Sequence, residues 1–502
     1  MTSAPQGALI RERPLIFGLL EVIILTEKFI APIATAMQKY SADKALPFHT
    51  PGHKQGLGAH PLLKNLVTAE GLRQEVSLMD ELDDLHSPHS CIRDAEKFAA
   101  QLWHADDCLF IINGTSCAIQ AMILAMLKTG DLVFVPRNSH RAVMAGLILS
   151  GAVPIFLPID FSPDLKIPLN LTIETLERAI KKFPAAKALI LTSPNYYGVA
   201  ADLPKIAKIL HAAKMLLLVD EAHGAHLQFS EKLPISAMDA GADLAAQSTH
   251  KLLGSMTQTS MLMVRGDSAK VRRAASLLQS TSPNYLLLAS LDIARLQMAQ
   301  SGFEKWSAAV ELSKQLRAEI NSIDGLKTFD AVKNFQLDLT KITVDVSNLG
   351  LTGLEAEKIL RHELKIQCEL SDAANLLFLI TYADSCATGA KLIEALKKLP
   401  AHKKNLSLTD ISNLPAEINS VKISPREVFF LPNETLPLDK CVGKICAEEV
   451  TFYPPGIPIL NLGEIITPEI INYIREQKNI GGRIIGAADI ELNTLKCLSQ
   501  DS

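Results

Sequence analysis

Cysteine pairs at metal-site or redox spacing are missing from this chain. Its eight cysteines form no CxxC and no regular framework, which argues against a disulfide-stapled secreted fold and fits reduced thiols in the cytoplasm. Arginine-rich stripes are missing too, and a formal net charge of −4 speaks against nucleic acid as a partner. Nor does any apolar run suffice to span a bilayer as a helix. Residues 14–25 come nearest, sitting behind Arg11 and Arg13 like a signal peptide. Glu21 interrupts them, however, the run is too short, and no small-residue cleavage pattern closes it. No membrane is therefore expected as a partner, and residues 1–28 are expected to be a poorly anchored N-terminal extension. Internal repeats and low-complexity tracts are also lacking.

What is present is ordinary for a globular enzyme: 48% hydrophobic and 21% charged residues in a chain of 502. That length exceeds one core and suggests two or three domains. From about residue 94 to 264, apolar strands alternate with amphipathic helices, the signature of a mostly parallel sheet with helices on both faces. A helical stretch follows at 292–321. Ile342, Val344 and Val346 alternate as in a half-buried strand, and Thr352 with Glu355 spells a capping box. A strand at 376–381 and a helix at 390–399 complete a small α/β domain. Residues 401–423 read as a linker, and 424–502 as a C-terminal domain rich in proline turns.

The candidate chemistry gathers where predicted strands end, which is where open α/β sheets bind ligands. Ser248-Thr249-His250-Lys251 lies on a polar turn between two apolar runs. A lysine held there is either simply solvated or, in a low-dielectric pocket that disfavours its ammonium form, a free amine able to form an imine with an aldehyde. The apolar run 215–219 ends in Asp220-Glu221-Ala222-His223-Gly224-Ala225-His226. Asp220 is a candidate partner for a protonated pyridine nitrogen, with a helix cap or a metal ligand as alternatives. The pair His223 and His226 lacks a third ligand at zinc spacing, so no metal is expected. Strand 108–112 runs into Asn113-Gly114-Thr115-Ser116 and a helix, a glycine turn at a helix N-terminus able to bind phosphate or to act as an ordinary cap. Arg137-Asn138-Ser139-His140 puts an imidazole at another strand end, for ring stacking or for structure. In Ser193-Pro194-Asn195-Tyr196-Tyr197-Gly198 an asparagine or tyrosine either reaches a ligand or packs a turn.

Together with Pro47-Phe48-His49-Thr50-Pro51-Gly52-His53-Lys54, Leu82-Asp83-Asp84-Leu85-His86, Thr281-Ser282-Pro283 and Tyr453-Pro454-Pro455-Gly456-Ile457-Pro458, these motifs resemble the pyridoxal 5'-phosphate (PLP)-dependent ornithine/lysine/arginine decarboxylases, in their short bacterial form. The resemblance runs from about residue 29 to 500. It implies an α/β chain of the type I PLP-dependent transferase fold: an N-terminal segment and large PLP-binding domain at 29–310, a small α/β domain at 311–400, and a C-terminal α+β domain. Position by position, it implies that Lys251 bonds the cofactor, Asp220 faces its pyridine nitrogen and His140 stacks on its ring. Gly114, Thr115, Ser116, Ser248 and His250 serve the phosphate side, and His223 or the released Lys251 returns the proton after carbon dioxide leaves. Thr281 is implied to complete the phosphate site of a neighbouring subunit, making the active unit a homodimer. Where the family reads Pro-Gly-Glu, this chain has Leu462-Gly463-Glu464, a departure affecting the local turn. The resemblance further implies a basic amino acid as substrate, arginine first and lysine or ornithine next, and a cytoplasmic place in polyamine biosynthesis. An aminotransferase shares the lysine and aspartate. A guanidinium calls for a carboxylate fork, for which Asp83, Asp84, Glu369, Asp372 and Glu448 are the candidate acids.

Overall fold

Strands covered on both faces read as unbroken apolar runs, and the computed structural model assembles such runs into one eight-stranded sheet. It describes residues 29–404, 419–453, 457–480 and 483–499. The strands are β1 (Asp107–Ile111), β2 (Leu132–Pro136), β3 (Val153–Leu157), β4 (Ala188–Thr192), β5 (Leu216–Asp220), β6 (Leu244–Gln247), β7 (Ser260–Val264) and β8 (Asn419–Ser420). Their spatial order is β1-β7-β6-β5-β4-β2-β3-β8. From β3 across to β6 the pairing is parallel. The sheet is thus mostly parallel, as expected, but β7 runs antiparallel between β6 and β1. Only residues 248–259 join β6 to β7, and they carry a single turn of helix, Thr249–Leu252, too little for a helical crossover. The edge strand β8 pairs antiparallel with β3, inside the stretch expected to be linker; residues 405–418 of that stretch lie outside the described residues, as do 1–28.

Helices cover the sheet on both faces. They include α1 (Cys91–Leu102), α2 (Gly114–Met126), α3 (Arg141–Ser150), α4 (Leu203–Ala212), α5 (Ala269–Leu278) and the 37-residue α6 (Tyr285–Asn321). One apolar cluster on the first face includes Phe110, Phe134, Leu189, Leu217 and Met261 with Trp103 and Trp306. Its counterpart joins Ile111, Val133, Ile190 and Leu262 to the apolar sides of α2 and α3. No helix among the described residues is long and apolar enough to cross a membrane.

Beyond α6, whose N-terminus Asn284 caps, a four-stranded sheet contains Lys341–Asp345 and Asn375–Leu379. The expected half-burial of this region fails, because Lys341, Thr343, Ile342 and Val344 are all buried. Ile342 and Val344 join the main core. On the other side, Thr343 sits in register with Leu377, which packs with Tyr197 and Val199. The capping box forms: Thr352 Oγ1 accepts from Glu355 N–H at 3.1 Å while the Glu355 carboxylate accepts from Thr352 N–H at 2.9 Å. The C-terminal region has its own apolar cluster around Ile459, Ile471 and Ile474. It is built on the strands Val450–Tyr453, Ile457–Leu460 and Arg483–Ile485 and the helix Pro468–Ile480. Residues 454–456 of the tyrosine-proline motif lie outside the described residues.

Candidate active site

Parallel strands present their carboxyl ends side by side, so the turns after β2, β4, β5 and β6 converge, and β1 adds the start of α2. They enclose a cavity of about 420 Å³ whose lining includes Gly114, Thr115, Ser116, His140, Asp220, His223, Ser248, His250 and Lys251. Thr281 is not among the lining residues; it is exposed on the turn before α6, next to Ser280, whose carbonyl contacts His86 Nε2 at 2.9 Å.

The phosphate-type corner is assembled from backbone and hydroxyls. Gly114 has φ +80° and open space where a Cβ would project. A side chain there would be strained and would narrow the cavity. Its N–H donates to the carbonyl of Gln258 at 2.8 Å, while the free N–H groups of α2 begin just beyond. A hydroxyl relay runs from Ser248 Oγ to Thr115 Oγ1 at 2.5 Å, on to Ser260 Oγ at 3.0 Å and then to the Gln247 carbonyl at 2.7 Å. His250 Nδ1 lies 2.7 Å from the Thr259 carbonyl. Nδ1 therefore carries the proton, leaving Nε2 as the acceptor.

On the same turn, Lys251 Nζ lies 2.9 Å from His223 Nε2 and 5.6 Å from the centroid of the Tyr196 ring. Burial lowers the pKa of this ammonium, Lys341 lowers it further and Asp220 opposes both. Burial also drives His223 well below its ordinary value, and the neighbouring Lys251 adds to the effect. A neutral imidazole thus faces a lysine already biased toward the free amine. His223 Nδ1 is buried with no partner among the described residues. The Tyr196 ring packs on His223 at 4.6 Å between centroids.

Asp220 is 2% exposed and accepts from Ala222 N–H at 3.2 Å. Burial raises its pKa, although the positive charges of His140 and Lys251 pull the other way. His140 caps α3, its Nδ1 accepting from Ala142 N–H at 3.1 Å, so the proton sits on Nε2. Burial keeps this ring below its ordinary pKa.

Sequence reasoning left two outcomes open that geometry separates. Asn195 and Tyr196 both line the cavity, but Asn195 commits its amide to the turn, donating to the Pro168 and Leu169 carbonyls at 3.0 and 2.9 Å, whereas the Tyr196 ring faces the lysine. His226 does not share a centre with His223; its Nε2 lies 3.1 Å from Asp338. Asn138, Thr257 and Gln258 line the cavity without having been singled out. Asn138 belongs to the Arg137-Asn138-Ser139-His140 motif, and both its side-chain polar atoms are buried without a partner among the described residues. Gln258, at φ +85°, carries no glycine signal that could have revealed its turn.

Most of the candidate substrate acids are committed elsewhere. Asp83 accepts from the backbone N–H groups of His89, Ser90, Ile92 and Arg93 at the start of α1. Asp84 closes a turn onto His86 N–H. Asp372 takes the Tyr197 hydroxyl at 2.6 Å and two backbone amides. Glu448 holds Ala488 and Lys496 N–H. Glu369 is exposed, and its charge raises the pKa values of both Lys251 and Lys341.

Comparison with known proteins fits this geometry. The Orn/Lys/Arg decarboxylase major-domain model matches residues 31–344. The chain belongs to the Orn/Lys/Arg decarboxylase family. The C-terminal-domain model of the same family matches residues 415–489. The arginine decarboxylase of Halalkalibacterium halodurans is 39% identical over 93% of this chain and 98% of the relative. That of Bacillus subtilis is 38% identical over the same shares. Among solved structures, the Francisella novicida lysine decarboxylase LdcF superposes with a TM-score of 0.80 at 21% identity, covering 96% of this chain and 83% of that one. The fold is the type I fold of PLP-dependent transferases, and the protein is a decarboxylase of this family.

Proposed function

We propose that the protein removes the carboxylate of arginine using PLP, producing agmatine for polyamine synthesis in the cytoplasm. The observation that carries the PLP reading is the contact between Lys251 Nζ and neutral His223 Nε2 at 2.9 Å, inside a cavity with a helix N-terminus at one end and buried Asp220 among its walls. The residues fit the cofactor: Asp220 is a buried carboxylate among the cavity walls, Gly114 leaves an open cradle, and His223 and Asn138 hold polar atoms without a partner among the described residues. Bound there, PLP supplies an electron sink that weakens the bond between the substrate's α-carbon and its carboxylate.

The chain's own residues do the rest. Gly114, Thr115, Ser116, Ser248 and His250 would hold the phosphate, and Lys251 would offer its amine as the covalent anchor. Asp220 would keep a proton on the ring nitrogen, and His140 would stack on the ring. His223 can take a proton from Lys251 through Nε2 and return it, which makes this pair the reading for proton delivery.

Arginine rests on the two relatives at 38–39% identity. Lysine is the second reading, because a single compact anion satisfies an ammonium while a guanidinium wants a fork. Carbon dioxide release from arginine, lysine and ornithine, measured under one condition with added PLP, decides between them. Arginine should exceed lysine in kcat/KM by at least about 100-fold, and a lysine preference overturns the substrate.

The active unit in this reading is a homodimer, with exposed Thr281 serving the neighbouring subunit's phosphate. Leu46, Phe48, Leu57, Leu62 and Leu66 are also exposed, apolar surface of the kind a second copy covers. Mixing Lys251→Ala with Thr281→Ala subunits should restore part of the activity, and a fully active monomer would contradict it. The division into a large domain at 29–310, a small domain at 311–400 and a C-terminal domain from 424 is part of the same reading, with α6 running across the first boundary.

A further inference from the structure

His140 caps α3 at the end of a strand of the large sheet, and although α3 packs on α2, the charged contacts at both of its ends come from the C-terminal region. Just before it, Arg137 makes a two-pronged pair with Glu464, NH2 to Oε1 at 2.7 Å and NH1 to Oε2 at 3.3 Å. The two side chains are 2% and 7% exposed. Glu464 is itself oriented by Asn461, whose backbone N–H donates to Oε2 at 3.0 Å. Its turn is fixed between Cys446 and Gly463, where a Cβ would come within 2.3 Å of the Ile423 carbonyl. Just after His140, Arg141 Nε lies 4.0 Å from Glu449. At the far end of α3, Arg426 NH1 donates to the carbonyls of Ile148 and Leu149 at 3.1 and 2.8 Å. Between these ends Val421, Val428 and Leu462 share an apolar cluster with Ala142, Val143 and Leu147.

We propose that the C-terminal region is a brace for the cofactor cavity, in which Glu464, acting through Arg137, is a positioning residue that sets where His140 and Asn138 stand. The proposal rests on reading the cavity as a PLP site. A bidentate guanidinium–carboxylate pair fixes orientation as well as distance, and the buried Arg137 cannot satisfy its fork from water. Holding α3 by charge at its start, by Arg426 at its last carbonyls and by apolar contacts along its length leaves its N-cap little freedom. Residues that touch no substrate can govern rate this way, since a displacement of about 1 Å at a reacting group costs up to about 100-fold.

The test uses the full-length protein. PLP affinity is measured by titration, together with the visible circular dichroism of bound PLP and the melting temperature of the PLP-free protein. Glu464→Gln keeps the shape and removes the charge. It should weaken PLP binding by about 10-fold and reduce the dichroism of the bound state, with Glu464→Asp recovering part of both. Arg426→Gln, at the opposite end of the helix, should give the same signature at about 2-fold and carries the test if Glu464→Gln fails to fold. Variants with a lower melting temperature but unchanged PLP affinity and dichroism overturn the brace, because a purely structural pair would behave so. Failure of the unaltered protein to bind PLP overturns instead the functional reading on which the brace rests.

Discussion

Two lysines, the half-buried Lys251 and the fully buried Lys341, occupy neighbouring regions with opposite designs. Lys251 opens onto the cavity and faces a neutral imidazole at 2.9 Å. Lys341 is 1% exposed, and its Nζ sits 3.6 Å from Asp338. That carboxylate also takes His226 at 3.1 Å and the Thr340 hydroxyl at 2.6 Å. Burial is the leading influence on both lysines and lowers both pKa values. Burial alone therefore does not make a nucleophile. What distinguishes Lys251 is room in front of the amine and an uncharged neighbour, whereas Lys341 is packed solid beside a carboxylate. Burial works against that carboxylate's charge, yet His226 and Lys341 together hold its pKa below the ordinary range. The two regions are also coupled, because the charge of Lys341 depresses the Lys251 ammonium.

The largest break in this contrast is Lys251→Ala. It should lower turnover by at least about 10⁴-fold and abolish the covalent PLP adduct that borohydride reduction and peptide mapping would locate on Lys251 in the unaltered protein; an adduct elsewhere would refute the assignment. Asp338→Ala attacks the other region and should act on stability, leaving a buried ammonium without its anion at a cost of about 3–5 kcal/mol. Denaturant midpoints measure this, and a change below about 1 kcal/mol would mean that Asp338 does not neutralise Lys341.

Lys341→Met tests the coupling. Asp338 keeps His226 and Thr340, so the stability cost should stay under about 2 kcal/mol. The repulsion on Lys251 disappears, its amine pKa rises, and the acid limb of the kcat/KM profile should move to higher pH. An unmoved limb would separate the two lysines electrostatically.

The smallest effect concerns Glu221, whose fully buried carboxyl is pushed up to about 8 by desolvation, against the bonds from Gln247 and Ala237 that favour its charged form. A carboxyl bound more tightly to its proton in the folded state than in the unfolded one contributes stability that is full below about pH 4.5. That contribution is lost as pH rises toward 8. Glu221→Gln should flatten this decline, raising stability at pH 8 relative to the unaltered protein by about 1–2 kcal/mol. Parallel melting curves at pH 5 and pH 8 for both proteins check it.

Much of the cavity was legible because its residues follow strands. Asp220, His140, Lys251 and the Gly114 turn all sit where an apolar run gives way to polar residues, and a parallel sheet brings such points together whatever the sequence between them. Tyr196 and Asn195 could not be told apart in this way, since adjacent residues on a turn point in different directions and only the backbone path decides which one meets the ligand. The acids were harder still. Asp83, Asp372 and Glu448 look like ligands in one dimension and prove to be anchors for backbone amides, because unsatisfied N–H groups at helix starts and turns compete for any nearby carboxylate.

The sequence by itself determined the period of each element, the parallel heart of the sheet and the residues offered at its carboxyl edge, because these follow from local patterning and from short connections. Tertiary structure alone decided the antiparallel course of β7, the closure of the cavity by Gln258, the pairing of His226 with Asp338 and the hold of Glu464 on Arg137. The last three join groups distant in sequence through charge or hydrogen bonding, and such interactions leave no periodic trace: a carboxylate is written the same way whether it faces water, caps a helix or locks an arginine 327 residues away.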